Sequence, residues 1–577
     1  MSIIEKIFSK KKKLTGPYQQ YYSKEEWNLE IPNESVYDYL IENSNNHDEN
    51  LIALGYYGTK ITYKELLKRI DETARAFRCQ GIRAGDVVTI CMPNTPEAVI
   101  CFYALNKIGA ISSMIHPLSG ANEIRDSINF TKSVILVMID LVYEKVKDVL
   151  SETEIYKTIV ISAKDSMPFW LGLAYQVTKG MTVSKPAASE AYLYWREFIA
   201  KGKRYDGEIL TYHNPDDVAV ILYSGGTTGT PKSILLTNKN VNAEAAQIKA
   251  KFLLDPGLSI LTIMPIFHGF GLVVSIHAPL CLGVEANLLP TFDVKEFHKI
   301  ILKNRPNFIV GVPTLFEALL SNADKFEGID LSFIKYAVCG GDTMPITLQR
   351  RMNVFLREHG SKAQMIIGYG MTESVAASIV TLGGPDRDGA IGIPLPGMHV
   401  KIVKPQTQDE VAYGEDGEIC ISGPTVMMGY LENEKETNEV LQIHEDGHIW
   451  LHSGDLASMD KDGVIYYKQR LKRMIVSSGY NIYPQQIEKV IEEHEAVLQC
   501  TVVGVPHPYK VNVAKAYVVL RQGFKASSST KKSIKEHCKK NLSTYAIPKD
   551  FEFRQSLPKT LLGKVNYREL EEENKKK

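Results

Sequence analysis

What this 577-residue chain has little of narrows its class before any motif is read. Its eight cysteines are scattered, and none stands in a C-x-x-C pair. That spacing argues against a zinc site or a disulfide framework and fits a reducing cytosol. Lys and Arg number 67 against 67 Asp and Glu, so no bulk charge draws the chain to nucleic acid. No apolar run reaches the roughly 18 residues that a membrane-spanning helix needs. The opening "MSIIEKIFSKKKKL" puts its apolar residues before its lysines and has no long apolar core. A secretory signal is therefore not expected there; a solvated tail or a short interfacial anchor is. No short-period repeat is present. What remains is an ordinary globular composition, 44% hydrophobic and 23% charged, in a chain too long for one core.

Along the chain, strand-like and helix-like stretches alternate. "DVVTICM" (Asp86–Met92) reads as a buried strand, and "TPEAVICFYALNKIG" as a helix with Pro96 in its first turn. "SVILVMID", "VAVILYS", "SILTIMP", "FIVGVP" and "YAVCGGD" repeat the strand signal between helical stretches. This is βαβ organisation, an α/β chain with mostly parallel sheets. Beyond about Gly383 the texture becomes glycine-rich β, and from "QRLKRMIV" onward a smaller α/β unit follows. The expected division is a tail over 1–33, a large domain over 34–469, a hinge at 470–473 and a small domain over 474–577.

"YSGGTTGTPKS" (Tyr223–Ser233) packs three glycines and five hydroxyls around one proline and one lysine. An apolar strand leads in and "SILLT" follows as a second strand, so the loop joins two strands. A Walker A loop opens a helix instead, and Pro231 before Lys232 also breaks that pattern. The chemistry survives the mismatch. Gly225, Gly226 and Gly229 free the backbone, amides and the hydroxyls of Ser224, Thr227 and Thr228 donate, and Lys232 adds charge. That set suits a polyphosphate; standing alone it would equally suit a flexible hairpin.

The order of motifs resembles the adenylate-forming superfamily of acyl-CoA synthetases, luciferase-like enzymes and peptide-synthetase adenylation domains. "YSGGTTGTPKS" is similar to its phosphate loop, "VCGGDTMP" to its adenine-pocket segment and "IGYGMTES" to its Thr-Glu segment. "HSGDL" resembles the ribose-binding segment, "QRLKRMIVSSGYNIYPQQIE" the hinge and "PKTLLGK" the catalytic-lysine loop. The resemblance runs from about Glu34 to Leu570. It implies a large β-rich-capped α/β domain with a small mobile C-terminal domain, and ATP, Mg²⁺ and coenzyme A as cofactors.

The resemblance assigns roles residue by residue. Glu373 would hold Mg²⁺, a hard cation that a carboxylate suits, and Thr372 would bond the α-phosphate. Asp455 would accept both ribose hydroxyls, Arg470 would contact the ribose or phosphates at the domain boundary, and Arg470 to Lys472 sit where the hinge is expected. Gly340, Gly341, Asp342, Tyr369 and Gly370 would surround the adenine, Tyr369 stacking on it. Lys232 and Lys564 would neutralise charge during acid adenylation. Ser478, Gly479 and Tyr480 would approach the pantetheine arm after the small domain rotates. The chain departs from the family pattern at Ser233, Arg473 and Leu562, and none of these removes a reacting group.

The implied reaction is ATP-dependent activation of an acid to acyl-AMP, followed by transfer to a thiol. "IMPIFHGFGLVVSIHAPLCLG" (Ile263–Gly283) should line the acid pocket, with His268, Gly269, Phe270, Gly271 and Val312 as substrate contacts. Its small residues Gly269, Gly271, Ser275 and Ala278 are expected to leave a tunnel. Amino-acid-activating relatives place an aspartate where this chain has His268. Without an acid to pair a buried ammonium, a medium- or long-chain fatty acid is favoured. An aryl-acid ligase, an acyl-AMP ligase loading a carrier protein, and a non-enzymatic nucleotide-binding regulator are the alternatives. "SMPFWLGLAYQVTKG" (Ser166–Gly180) is too apolar for an ordinary connector and is expected either to meet lipid at the surface or to pack as a buried helix.

Overall fold

The computed structural model describes residues 12–209, 214–224, 232–291, 294–473, 475–477, 480–507, 511–543, 546–559 and 565–575. Two compact units divide the chain, Met1–Val400 with Ile421–Leu451 and Lys401–Cys420 with His452–Lys577. The chain passes between them three times, inside the strands His399–Val403, Gly417–Ser422 and Ile449–Met459.

The first unit holds two large sheets. In one, Ile111–Met114, Val87–Cys91, Ile135–Ile139, Lys157–Ile161 and Tyr192–Tyr194 run parallel, with Val218–Ser224 parallel to Ile111–Met114. In the other, Met365–Tyr369, Tyr336–Cys339, Phe308–Gly311, Ser259–Thr262, Glu285–Leu288 and Ile52–Tyr56 form the parallel run. Antiparallel strands close the rims of both. Strands buried on both faces have no reason to alternate, which is why they read as continuous apolar runs in the sequence.

Helix Pro96–Lys107 is buried along its whole length. Thr95 caps it and Pro96 occupies the first turn, where a missing N–H costs nothing. Asn106, buried, donates to Asn238 at 2.8 Å and ties it to helix Asn238–Lys251. Removing the ring of the wholly buried Phe102 would cost about 3–5 kcal/mol.

Residues 12–33, within the tail expected over 1–33, are docked on the first unit. The Tyr18 hydroxyl, buried, donates to the Val400 carbonyl at 3.3 Å and accepts from the Val400 amide at 3.1 Å. Trp27 packs edge-on against His399 at 5.3 Å between ring centroids. Aromatic side chains held by backbone groups far along the chain dock this stretch, and composition alone does not reveal their partners. Residues 1–11, with most of the lysine-rich opening, lie outside the described residues.

In the second unit, Ile465–Arg470 returns antiparallel along the end of Ile449–Met459. A five-stranded sheet is built on the long hairpin Val497–His507 and Val511–Leu520. Helices Pro484–Glu492 and Ser528–Asn541 cover it, with Ile475, Ile487, Ile491, Val502, Ala516 and Ile534 in their shared core.

Candidate active site

Strands Val218–Ser224 and Lys232–Thr237 pair antiparallel, Ser224 standing opposite Lys232. The two ends of the glycine-rich loop are thus neighbours on one sheet, as the strand–loop–strand reading expects. The loop itself, with Gly225, Gly226, Thr227, Thr228 and Gly229, lies outside the described residues. Tyr223 anchors the outgoing end through a 2.7 Å bond to Ser113, and burial pushes its phenol up to about 12.

Lys232 is already engaged. Its ammonium lies 2.5 Å from the Glu436 carboxylate and 4.6 Å from the centroid of the Tyr430 ring. Tyr430 reaches it because Gly429–Tyr430 adds to the sheet beside Lys232–Thr237, Tyr430 opposite Ile234. Glu436 sits in the first turn of helix Glu434–Val440, where the Asn433 side chain accepts from its amide at 3.1 Å. Neither Tyr430 nor Glu436 follows from the motifs read in the sequence. "GYLENEKET" does carry a cap and an acidic first turn, but nothing local says which strand it joins.

Tyr430 also reaches Glu373. Its hydroxyl donates to Glu373 Oε1 at 3.0 Å, and Ser224 Oγ lies 3.5 Å from the same oxygen. Burial first, and the Glu373 charge second, raise the Tyr430 phenol well above its ordinary value, so it stays a donor. Thr372, Glu373 and Ser374 form one short buried turn. Val375 follows with φ +66° and ψ −70°, a conformation that costs a non-glycine residue about 1–3 kcal/mol.

Three neighbours hold that strained loop. A Cβ on Gly370 would stand 1.6 Å from the Ala376 carbonyl oxygen, and one on Gly269 would stand 1.8 Å from that of Val375. Only glycine lets either backbone come so close. The third is Glu244, wholly buried on helix Asn238–Lys251, whose Oε1 accepts from the Ala377 amide at 2.9 Å. Burial pushes its carboxyl up to about 8, so it carries a proton at neutral pH. Glu373 therefore faces no second buried negative charge from this side.

Residues expected around the adenine, and Val312, expected at the acid, lie at the C-terminal ends of adjacent parallel strands, where open α/β sheets bind ligands. Gly340 and Gly341 follow Tyr336–Cys339, Val312 follows Phe308–Gly311, and Tyr369 ends Met365–Tyr369. A Cβ on Gly340 would lie 3.1 Å from the Phe270 ring and 3.3 Å from the Gly368 carbonyl oxygen; one on Gly341 would lie 3.6 Å from Val312. Asp342 is exposed and accepts from the Thr343 amide at 2.8 Å.

The expected tunnel at the small residues of 263–283 needs correction. The Cβ direction of Gly269 points into Val375, and that of Gly271 meets the Pro265 carbonyl oxygen at 2.0 Å. Ser275 and Ala278 are wholly buried. These small side chains admit close backbone packing rather than open space. His268 is half-buried; its carbonyl accepts from the amides of Gly271 and Leu272, and its Nδ1 from Phe270 at 3.4 Å. His277, between Tyr103 at 2.9 Å and Asn242 at 3.0 Å, is pushed down to about 3 by burial and serves the core.

In the second unit, Asp455 is buried and stands across the strand pair from Arg470, 3.6 Å from its guanidinium. The preceding turn is clamped by Glu418, which accepts from Gly454 at 2.9 Å and meets His452 at 3.1 Å. Lys472 is exposed. Arg473 instead pairs with Glu488 at 2.5 Å and lies over the Tyr567 ring. Burial opposes its charge, and Glu488 more than compensates, raising its pKa. Ser478, Gly479 and Lys564 lie outside the described residues, and Tyr480 is placed only as strand backbone opposite Ser477. Lys559 and Val565 bridge antiparallel, bracketing the segment that carries Lys564.

Among the described residues, no three His, Cys, Asp or Glu side chains could hold a metal by themselves. The donor set fits a magnesium that brings most of its ligands as phosphate and water, with Glu373 supplying one carboxylate.

The chain resembles known proteins over nearly its whole length. It is 33% identical to a long-chain-fatty-acid–CoA ligase of Bacillus subtilis (strain 168), covering 94% of this chain and 95% of that one. It is 31% identical to a long-chain-fatty-acid–CoA ligase of Salmonella typhimurium (strain LT2), covering 88% and 89%. The fold matches that of ATP-bound MatB from Rhodopseudomonas palustris with a TM-score of 0.79 at 22% identity, over 94% of this chain and 99% of the other. The AMP-binding enzyme model matches residues 41–431 and the AMP-binding enzyme C-terminal domain model residues 486–564, and the chain belongs to the AMP-binding enzyme family.

Proposed function

We propose that this chain is an AMP-forming acid–thiol ligase that converts a medium- or long-chain fatty acid to its coenzyme A thioester. In the first half-reaction a carboxylate oxygen displaces pyrophosphate from the α-phosphorus of ATP. In the second, the sulfur of coenzyme A displaces AMP from the acyl carbon and its proton is lost. The observation that carries the reading is the buried Glu373 carboxylate, set between Ser224 at the mouth of the glycine-rich loop and Tyr430. Identity to long-chain-fatty-acid–CoA ligases over most of both chains supports the acid class.

Each group has a task in this reading. Glu373 would hold the magnesium, whose charge would offset that of the phosphates, and Tyr430 fixes the carboxylate that would bind it. Lys232 and the amides of residues 225–229 hold the phosphates, and Thr372 bonds the α-phosphate. Gly340, Gly341, Asp342, Tyr369 and Gly370 receive the adenine; Asp455 takes the ribose hydroxyls. Lys564 acts in the first half-reaction and withdraws for the second, with residues 470–473 as the pivot. Ser478, Gly479 and Tyr480 then meet the pantetheine arm. His268, Phe270 and Val312 contact the acid, while Gly269 and Gly271 let the backbone pack closely behind them. Peripheral contact with a lipid surface belongs to the same reading; among the described residues no helix is long and apolar enough to cross a membrane.

Pyrophosphate release across a panel of carboxylates, with and without coenzyme A, tests the proposal. Fatty acids should drive release and phenylalanine should not, and the thioester should appear when coenzyme A is present. Turnover of an α-amino acid with none from fatty acids would overturn it. Acyl-AMP that coenzyme A cannot discharge would favour a carrier-protein ligase instead.

A further inference from the structure

Two carboxylates lie close to Tyr430, and they are held by different kinds of group. Glu373 accepts from hydroxyls, those of Tyr430 at 3.0 Å and Ser224 at 3.5 Å. Glu436 is held by a cation instead. Its Oε2 stands 2.5 Å from the Lys232 ammonium and, among the described residues, meets no hydrogen-bonding donor besides. Hydroxyl donors leave a carboxylate its full charge, as a magnesium ligand needs. A lysine offsets that charge, and this lysine is the one that nucleotide phosphates would also need.

The surrounding elements fix the cation more firmly than they fix its partner. Lys232 stands opposite Ser224 at the mouth of the glycine-rich loop, and its ammonium lies over the Tyr430 ring. Strand and ring together set where that charge sits, whichever anion meets it. Glu436 comes from a different element, the first turn of helix Glu434–Val440, which buries none of its residues. A polyphosphate arriving at Lys232 therefore meets Glu436 as a like charge beside the same cation. Two anions then compete for one ammonium, and the carboxylate on the exposed helix is the one that can yield.

We propose, on the basis of the ligase reading above, that Glu436 is a positioning residue that exchanges with phosphate at Lys232. It holds the ammonium between turnovers, gives it up to the phosphates of ATP, and takes it back as pyrophosphate leaves. Its charge weakens the hold on ATP and on pyrophosphate alike, which speeds release of that product. The chemical step is untouched, because Lys232 is with the phosphates by then.

Pyrophosphate release at varied ATP, with added pyrophosphate as inhibitor, tests the exchange. Glu436→Gln should lower KM for ATP roughly two- to fivefold and strengthen pyrophosphate inhibition by a similar factor, the size expected of a partly covered ion pair. The single-turnover rate of acyl-AMP formation at saturating ATP should stay near native. Glu436→Ser, a second neutral variant, should show the same shift, so the result does not rest on the folding of one protein. Glu436→Asp keeps the charge and should stay near the native values. An unchanged or higher KM for ATP in both neutral variants would overturn the proposal, since Glu436 would then support Lys232 without competing for it. Calorimetric titration with pyrophosphate needs no turnover and reads the same difference. Equal pyrophosphate affinity of native and neutral chains would sink the exchange, whereas a native chain that releases no pyrophosphate with any acid would sink the ligase reading.

Discussion

The charged groups expected at the site are held differently in the two units. In the first, Lys232 is largely covered, its charge met by Glu436 and its flank by Tyr430, whose hydroxyl in turn fixes Glu373. In the second, the Arg470 side chain is 54% exposed and Lys472 is exposed, with Asp455 the buried member. Sheet rims make the first set rigid before any ligand arrives, so little reorganisation remains at the moment of reaction. Arg470 and Lys472 of the second stay largely in contact with water, Arg470 beside the Asp455 carboxylate. The first arrangement suits phosphates bound the same way throughout; the second suits charges needed in one step and not in another.

The sharpest way to break this contrast is Lys564→Ala. If charges of the second unit serve one step only, acyl-AMP formation should fall on the order of 10²–10³-fold or more. Thioester formation from preformed acyl-AMP and coenzyme A should stay near the native rate. Rapid-quench measurement of each half-reaction decides it, and a parallel fall in both would remove the step-specific role.

Tyr430→Phe probes the fixed set. It deletes one hydrogen bond to a buried carboxylate, about 1.5–3 kcal/mol, and should cut adenylation roughly tenfold or more. The loss should be accompanied by a higher magnesium requirement, read from pyrophosphate release against magnesium concentration. An unchanged magnesium dependence would mean that Tyr430 is only packing against Lys232.

Glu244→Gln should matter least to turnover and most to the pH profile of stability. The native carboxyl keeps its proton up to about 8, while in the unfolded chain it ionises near 4.5. Between those values the unfolded state binds fewer protons, so this group's contribution to stability falls as pH rises and levels off above about 8. Glutamine cannot ionise, so the variant should lose that decline, gaining on the order of a few kcal/mol over the native chain from pH 5 to pH 8. Denaturant titrations at both pH values check it, and parallel profiles would show that Glu244 is ionised in the fold.

Local pattern alone determined a good deal. The parallel strands were legible because burial on both faces removes alternation, as in "VVTIC" and "ILVMI". The strand–loop–strand placement of the glycine-rich stretch was legible because Pro231 and the β-prone "SILLT" exclude a helix after Lys232. The order of motifs identified the family for the same reason, since each motif is a short local run. Tertiary structure decided what depends on residues distant in the chain. Tyr430 joins Lys232 to Glu373 only because a two-residue strand pairs at a sheet rim. Gly269 and Gly271 look like room for an acyl chain until the carbonyls of Val375 and Pro265 fill their Cβ directions. Glu244 looks like any helical glutamate until burial holds its proton. The apolar face of 169–181 has the composition of a core helix, and only the tertiary structure, with Gln176 set against Lys164 and the Tyr175 hydroxyl buried, turns that face outward. Propensity and pattern act over a few residues; burial, charge coupling and close approach are set by whichever distant segment the topology brings alongside.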